Sequence, residues 1–242
     1  MVLRCEWLSD YLQFKNGKKR PSGKGTYPVY GGNGILDYAD EYNQEQGIII
    51  GRVGAYCGSV FYEPNKHWVS DNAISASNNE NSDLVFAYYL LNSLQLNKRH
   101  IGTSQPLLTQ EILNSIKVTM PPLETQRIIA ATLSALDDKI ANNTAINHHL
   151  EQVAQVIFKS WFVDFEPFGG ERPDDWREGT LSEICSYGSE RIAVSELTSR
   201  TYISTENMVS NRGGFLDAAS LPTTALTPMF RPGNVLVSNI RP

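Results

Sequence analysis

MPPLETQRIIAATLSALDDKIANNTAINHHLEQVAQVIFKSWFVDFEP, Met120 to Pro167, is the stretch that decides the architecture of this 242-residue chain. It reads as one uninterrupted helix, far longer than the roughly three turns of an average globular helix. Pro121 and Pro122 stand where a helix starts, because a first-turn proline loses no needed N–H. Glu124 places a carboxylate at the positive end of the helix dipole. No further glycine or proline interrupts the run until Pro167 and the Gly169-Gly170 pair. An apolar seam runs through Ile129, Leu133, Leu136 and Ile140, then Leu150, Ala154, Ile157 and Trp161. Its steps of three and four keep one stripe toward a partner helix. In mid-seam stand Asn143 and Asn147. Such amides lower stability but fix register, since each needs a partner at matching height. The segment therefore predicts a coiled-coil spacer that pairs with another helix. The competing reading is a core helix of an ordinary domain with solvent-facing asparagines. A pattern well beyond ~25 residues favours the coiled coil.

Composition places the chain among folded proteins, with 41% apolar and 19% charged residues. The net charge of -5 does not advertise nucleic-acid binding. Charge is local, however. KNGKKRPSGK, residues 15–24, carries Lys15, Lys18, Lys19, Arg20 and Lys24 with no acid among them. Cys5, Cys57 and Cys185 are far apart with no CxxC spacing, which indicates neither a disulfide framework nor a zinc site. His148 and His149 are adjacent, so on a helix they diverge rather than share a face. The N-terminus lacks an apolar signal-peptide core, and no apolar run approaches the ~20 residues of a membrane span. A cytoplasmic compartment is expected.

The pattern divides the chain into three parts. Residues 1–119 read as a strand-rich α+β domain. The Gly31-Gly32-Asn33-Gly34 cluster marks a turn, and Ile48-Ile49-Ile50 after Gly47 marks an apolar strand. Val53, Tyr56, Val60 and Phe61, with Gly54 and Gly58, suggest a bent hairpin. Asn79 to Ser82 offers caps for a helix over Leu84, Val85, Tyr88, Leu91 and Leu94. Residues 120–168 form the spacer. Residues 169–242 then begin again. Leu181-Ser182-Glu183-Ile184 after Trp176 echoes Leu8-Ser9-Asp10-Tyr11 after Trp7, and Val235-Leu236-Val237 echoes Ile48-Ile49-Ile50. The order of the echoes predicts a second, incomplete copy of the first domain whose closing VLVSNIRP is a strand. A fragment, a truncated product and a half-length chain with a tail all fit this pattern.

The strings nearest to catalytic motifs fail on spacing. GKKRPSGK has five residues between Gly17 and Gly23-Lys24 and no Ser/Thr for magnesium, so it is not a P-loop. Gly51-x-x-Gly54-x-x-x-Gly58 is not a dinucleotide fingerprint. Asp137 and Asp138 are neighbours on a helix and diverge. The chain reads as a non-catalytic component. DNA binding fits better. Lys18, Lys19, Arg20 and Lys24 suit phosphates, which position a protein without reading sequence. Tyr30, Asn33, Arg52 and Gln105 suit base edges, with Arg matching guanine and Asn or Gln matching adenine. RHIGTSQ adds a polar loop with Arg99, His100, Thr103, Ser104 and Gln105.

Three strings carry a resemblance: PPLETQRII (Pro121–Ile129), LDDKI (Leu136–Ile140) and FKSWFVDFEP (Phe158–Pro167). Together they closely resemble the spacer of type I restriction–modification specificity subunits. YPVYGGNG (Tyr27–Gly34), GRVG (Gly51–Gly54) and GTSQP (Gly102–Pro106) look like recurrent elements of that family's target-recognition domains. The resemblance implies a recognition domain over residues 1–119, a spacer over 120–168 and an incomplete second recognition domain over 169–242. It implies a chain that binds a half-site of a bipartite duplex DNA target and positions methyltransferase and restriction subunits. Those partners would carry S-adenosylmethionine, ATP and magnesium, with none on this chain. The family's paired spacers imply a homodimer through Leu133, Leu136, Ile140, Asn143, Asn147, Leu150, Ile157 and Trp161. An assembly scaffold, or a truncation without specific DNA binding, stands as the other reading.

Overall fold

The computed structural model describes residues 5–102, 105–209 and 213–237. Met1–Val156 and Ile157–Pro242 form two compact units, with the boundary inside the long helix. In the first unit the chain order is β1 (Cys5–Trp7), β2 (Leu12–Asn16), β3 (Tyr27–Gly31), β4 (Gly34–Ala39), β5 (Gly47–Gly51), β6 (Val60–Glu63), β7 (Trp68–Val69), β8 (Ala73–Asn78), α1 (Leu84–Ser93), α2 (Gln110–Asn114), β9 (Lys117–Thr119) and α3 (Leu123–Phe162). The fold is α+β, a strand-rich domain with a long helix. An antiparallel sheet runs β2-β8-β5-β6, a second sheet β4-β3-β7 contains the parallel pair β3–β7, and β1 pairs with β9.

The triple isoleucine of β5 is unbroken because both faces of its sheet are covered. Ile48 and Ile50 join Leu8, Leu12, Phe14, Leu91, Leu108 and Leu113 in the main core. Ile49, on the other face, packs with Tyr30, Val69 and Ala73. Each fully buried isoleucine contributes roughly 1.5–3 kcal/mol of apolar burial. The expected hairpin exists as β5 and β6, joined through a tight turn at Gly54–Tyr56. The expected helix is α1, but its cap differs from the Asn79–Ser82 cluster. Asp83 is the N-cap, its carboxylate accepting from Phe86 N at 2.8 Å.

α3 has 40 residues. It starts at Leu123 rather than Met120, after the two prolines, and ends at Phe162 rather than at Pro167. Its early stop has a local cause. Phe165 turns left-handed at φ 54°, Gly170 N returns to Phe165 O at 2.9 Å, and Lys159 pairs with Asp164. Near its start, the Gln126 side chain is 1% exposed. Its Oε1 accepts from Asp83 N at 2.9 Å, and its Nε2 donates to Pro121 O at 2.9 Å and Asn81 O at 3.2 Å. Farther along, the Tyr89 hydroxyl on α1 donates to Asp137 at 2.7 Å.

In the second unit Trp176 collects Phe162, Phe165 and Phe168 at ring separations of 5.7, 5.8 and 5.5 Å. α4 (Leu181–Ile184) follows, then β10 (Arg191–Ala193) paired antiparallel with β11 (Leu226–Pro228). The two echoed turns, at Leu8 and Leu181, share one local contact: Asp10 accepts from Trp7 N at 2.9 Å and Glu183 from Thr180 N at 3.0 Å. Burial separates them: Leu8 is 0% exposed and Leu181 74%. The expected closing strand is not formed by Val235–Val237, which have no strand partner among the described residues; its remainder, Ser238–Pro242, lies outside them. Among the described residues no helix is long and apolar enough to cross a membrane.

Candidate nucleic-acid interface

The turn between β7 and β8, Ser70 to Asn72, is where distant stretches of the first unit meet. Gly17 N donates to Ala73 O at 3.0 Å and Lys18 N to Val69 O at 3.0 Å, which brings the basic segment to this turn. Arg52 N donates to Asn72 O at 3.0 Å, and the Arg52 guanidinium reaches Asp71 O at 3.5 Å. Arg52 O in turn accepts from Leu108 N at 2.9 Å, and Gly54 N donates to Pro106 O at 3.0 Å. Those two bonds hold the loop that carries Gln105.

Two glycines permit the convergence. A Cβ on Gly51 would collide with the carbonyl of Tyr56. Gly54 turns at φ 72°, a conformation that side chains with a Cβ rarely adopt. The β3–β4 turn closes on the same place, because the Ser59 hydroxyl donates to Gly32 O. Asn33 at its tip is exposed. Asn33, Arg52 and Gln105 thus come from three separate loops to one end of the fold. Tyr56 and Asn72, both exposed there, were not singled out from sequence. No motif marks them, and only the close approach of the Gly32 and Gly51 backbones reveals their place.

The remaining candidates divide by how they are used. Lys18, Lys19 and Lys24 are exposed and make no ion pair among the described residues. Arg20 is paired with Asp37, so part of its charge is already answered. Arg99 folds back onto the end of α1, its Nε donating to Leu94 O at 3.0 Å. Tyr30 leaves the candidate set. It is 7% exposed, its hydroxyl donates to Glu63 at 2.9 Å, and burial together with that carboxylate pushes its phenol well above the ordinary value. Ser104 and Thr103 lie outside the described residues. His67, immediately before β7, is fully buried; its Nδ1 meets Asn65 O at 2.8 Å, while desolvation lowers its pKa. Among the described residues no cluster of His, Cys, Asp or Glu is arranged to hold a metal.

Along α3, Leu133 is half-buried. Beyond it the seam is open: Ile140 is 64% and Leu150 61% exposed, and Leu136, Ile157 and Trp161 are also exposed. Asn143 and Asn147 stand in the same exposed run.

A family model described as the type I restriction modification DNA specificity domain matches residues 8–152. The specificity subunit of the type I restriction enzyme HindI from Haemophilus influenzae is 50% identical over 62 residues, covering 26% of this chain and 14% of that protein. The EcoprrI specificity subunit from Escherichia coli is 32% identical over 112 residues, covering 46% of this chain and 28% of that protein. The matches thus span less than a third of these curated relatives. The S subunit of a type I restriction–modification system from M. genitalium shares the fold, with a TM-score of 0.57 at 18% identity over 93% of this chain and 63% of that one. The family model covers more than half of the sequence, and the chain belongs to the type I restriction modification DNA specificity domain family.

Proposed function

We propose that this chain is a non-catalytic DNA-recognition component of a type I restriction–modification complex, reading one half of a bipartite duplex site with its first unit. The observation that carries the reading is the meeting of the Asn33, Arg52 and Gln105 loops with the lysine-rich segment at the β7–β8 turn. Side chains suited to base edges then stand beside cations suited to phosphates, the two kinds of contact that sequence-specific binding combines. The exposed seam of α3 supports pairing with the same helix of a second copy. In an antiparallel pair Asn143 and Asn147 meet equivalent amides across the two-fold axis. Modification subunits would bring S-adenosylmethionine and adenine methylation, and a restriction subunit ATP, magnesium and cleavage. This chain contributes recognition and geometry.

The test is to co-express the chain with its modification subunit and map methylated adenines across host DNA. A symmetric bipartite motif is expected. Methylation without a motif would displace this reading in favour of an assembly scaffold.

A further inference from the structure

α3 is fastened to the first unit at two points. At Gln126 the buried amide joins Asp83, Asn81 and Pro121; at Asp137 the carboxylate takes the Tyr89 hydroxyl. Eleven helical rises separate them, about 16 Å along the axis. A rod held at one point pivots, whereas a rod held at two cannot tilt. The intervening contacts fall on the same side: Ala130 is buried, and Ile129, Leu133 and Ser134 are half-buried. The docked stripe of 126, 130, 133 and 137 and the open seam of 140, 143, 147 and 150 lie on one helix, the seam turned by about 90° from the stripe at ~100° per residue. The clamp therefore sets not only the direction of α3 but the azimuth of its unpartnered seam. A slip of one residue would turn that seam by about 100°.

We propose that Gln126, Tyr89 and Asp137 are positioning residues that fix the tilt and rotation of α3 on the recognition fold, and with them the gap between the half-sites that a pair of such units reads. This rests on the DNA-recognition function proposed above. The three touch no DNA. They act through the helix, transmitting the setting of one recognition fold to the helix that pairs with α3.

The test selects binders from a pool of random-sequence duplexes with the full chain and its variants, then measures the distribution of gap lengths between enriched half-motifs. The wild type should enrich one gap. Tyr89→Phe, which removes only the hydroxyl, and Gln126→Ala should spread enrichment to neighbouring gaps while the half-motifs stay unchanged. Asp137→Asn retains an acceptor oxygen and should keep the single gap; Asp137→Ala should not. A merely structural role would weaken binding at every gap alike and leave the distribution sharp. That result for Tyr89→Phe overturns the proposal even if Gln126→Ala does not fold. A wild type that enriches a half-motif with no preferred gap also overturns it and leaves recognition standing. No enriched motif at all removes the recognition reading, and this one with it.

Discussion

Gln126 and Asp83 stand 43 residues apart in sequence and 2.9 Å apart in the fold, the side-chain oxygen of one accepting the backbone N–H of the other. Asp83 is also the N-cap of α1, so one residue both starts that helix and receives α3. Gln126→Ala would leave this N–H and the carbonyls of Asn81 and Pro121 without their partner. Buried unpaired groups of this kind cost about 1–3 kcal/mol each, less where water enters. We expect a loss of roughly 2–4 kcal/mol in urea unfolding of the full chain. A change below about 0.5 kcal/mol, the range of ordinary surface substitutions, would show that the contacts contribute little.

The open seam makes a prediction about association. Ile140→Asp with Leu150→Asp places two carboxylates in the middle of an apolar stripe, at positions that are exposed in the single chain. Sedimentation velocity should show the wild type associating and the double variant as a monomer, with near-unchanged far-ultraviolet dichroism. Equal sedimentation of the two proteins would remove α3 as a pairing surface.

The cations are not equivalent. Lys18, Lys19 and Lys24 are exposed without ion pairs among the described residues, whereas Arg20 is engaged by Asp37. Each phosphate contact steepens the dependence of log K on log salt by about 0.9. Replacing the three lysines by alanine should flatten the slope by about 2–3, while Arg20→Ala should flatten it by less than one lysine does. An unchanged slope in the triple variant would take this segment off the DNA.

His67 gives stability a pH dependence of definite sign. Burial holds the imidazole neutral and its pKa below the ordinary value of 6.5. Below pH 6.5 the unfolded chain takes up a proton that the folded chain refuses, so the unfolded state gains. The contribution is fully present above pH 6.5 and is lost as pH falls toward the lowered folded value. The urea midpoint should drop between pH 7 and the acid side of 6.5, and the His67 C2 proton should titrate below 6.5 by NMR. A folded-state titration above 6.5 would reverse the sign and refute the account.

Legibility differed from element to element. The strand at Ile48–Ile50, the helix from Leu84 and most of α3 were readable because local pattern carried them. A triple isoleucine and a long run without glycine or proline leave few alternatives. The ends of α3 were less readable, since a left-handed turn at Phe165 and the aromatic packing around Trp176 stop it before Pro167 does. Tyr30 misled for a related reason: a tyrosine in a turn-flanking string looks available, and only the position of Glu63 shows its hydroxyl engaged. Arg20 and Arg99 were readable as cations but not as cations already in use.

Sequence by itself determined the periodic elements, the charge of the segment from Lys15 to Lys24 and the resemblance carried by PPLETQRII and FKSWFVDFEP. Those properties reside in neighbours along the chain, where spacing and composition suffice. Tertiary structure alone decided that Asn33, Arg52 and Gln105 share one end of the fold, that Tyr30 is interior and that Gln126 joins α3 to Asp83. Each depends on a close approach between residues tens of positions apart, which hydrogen bonding and glycine-permitted packing select and local sequence does not encode.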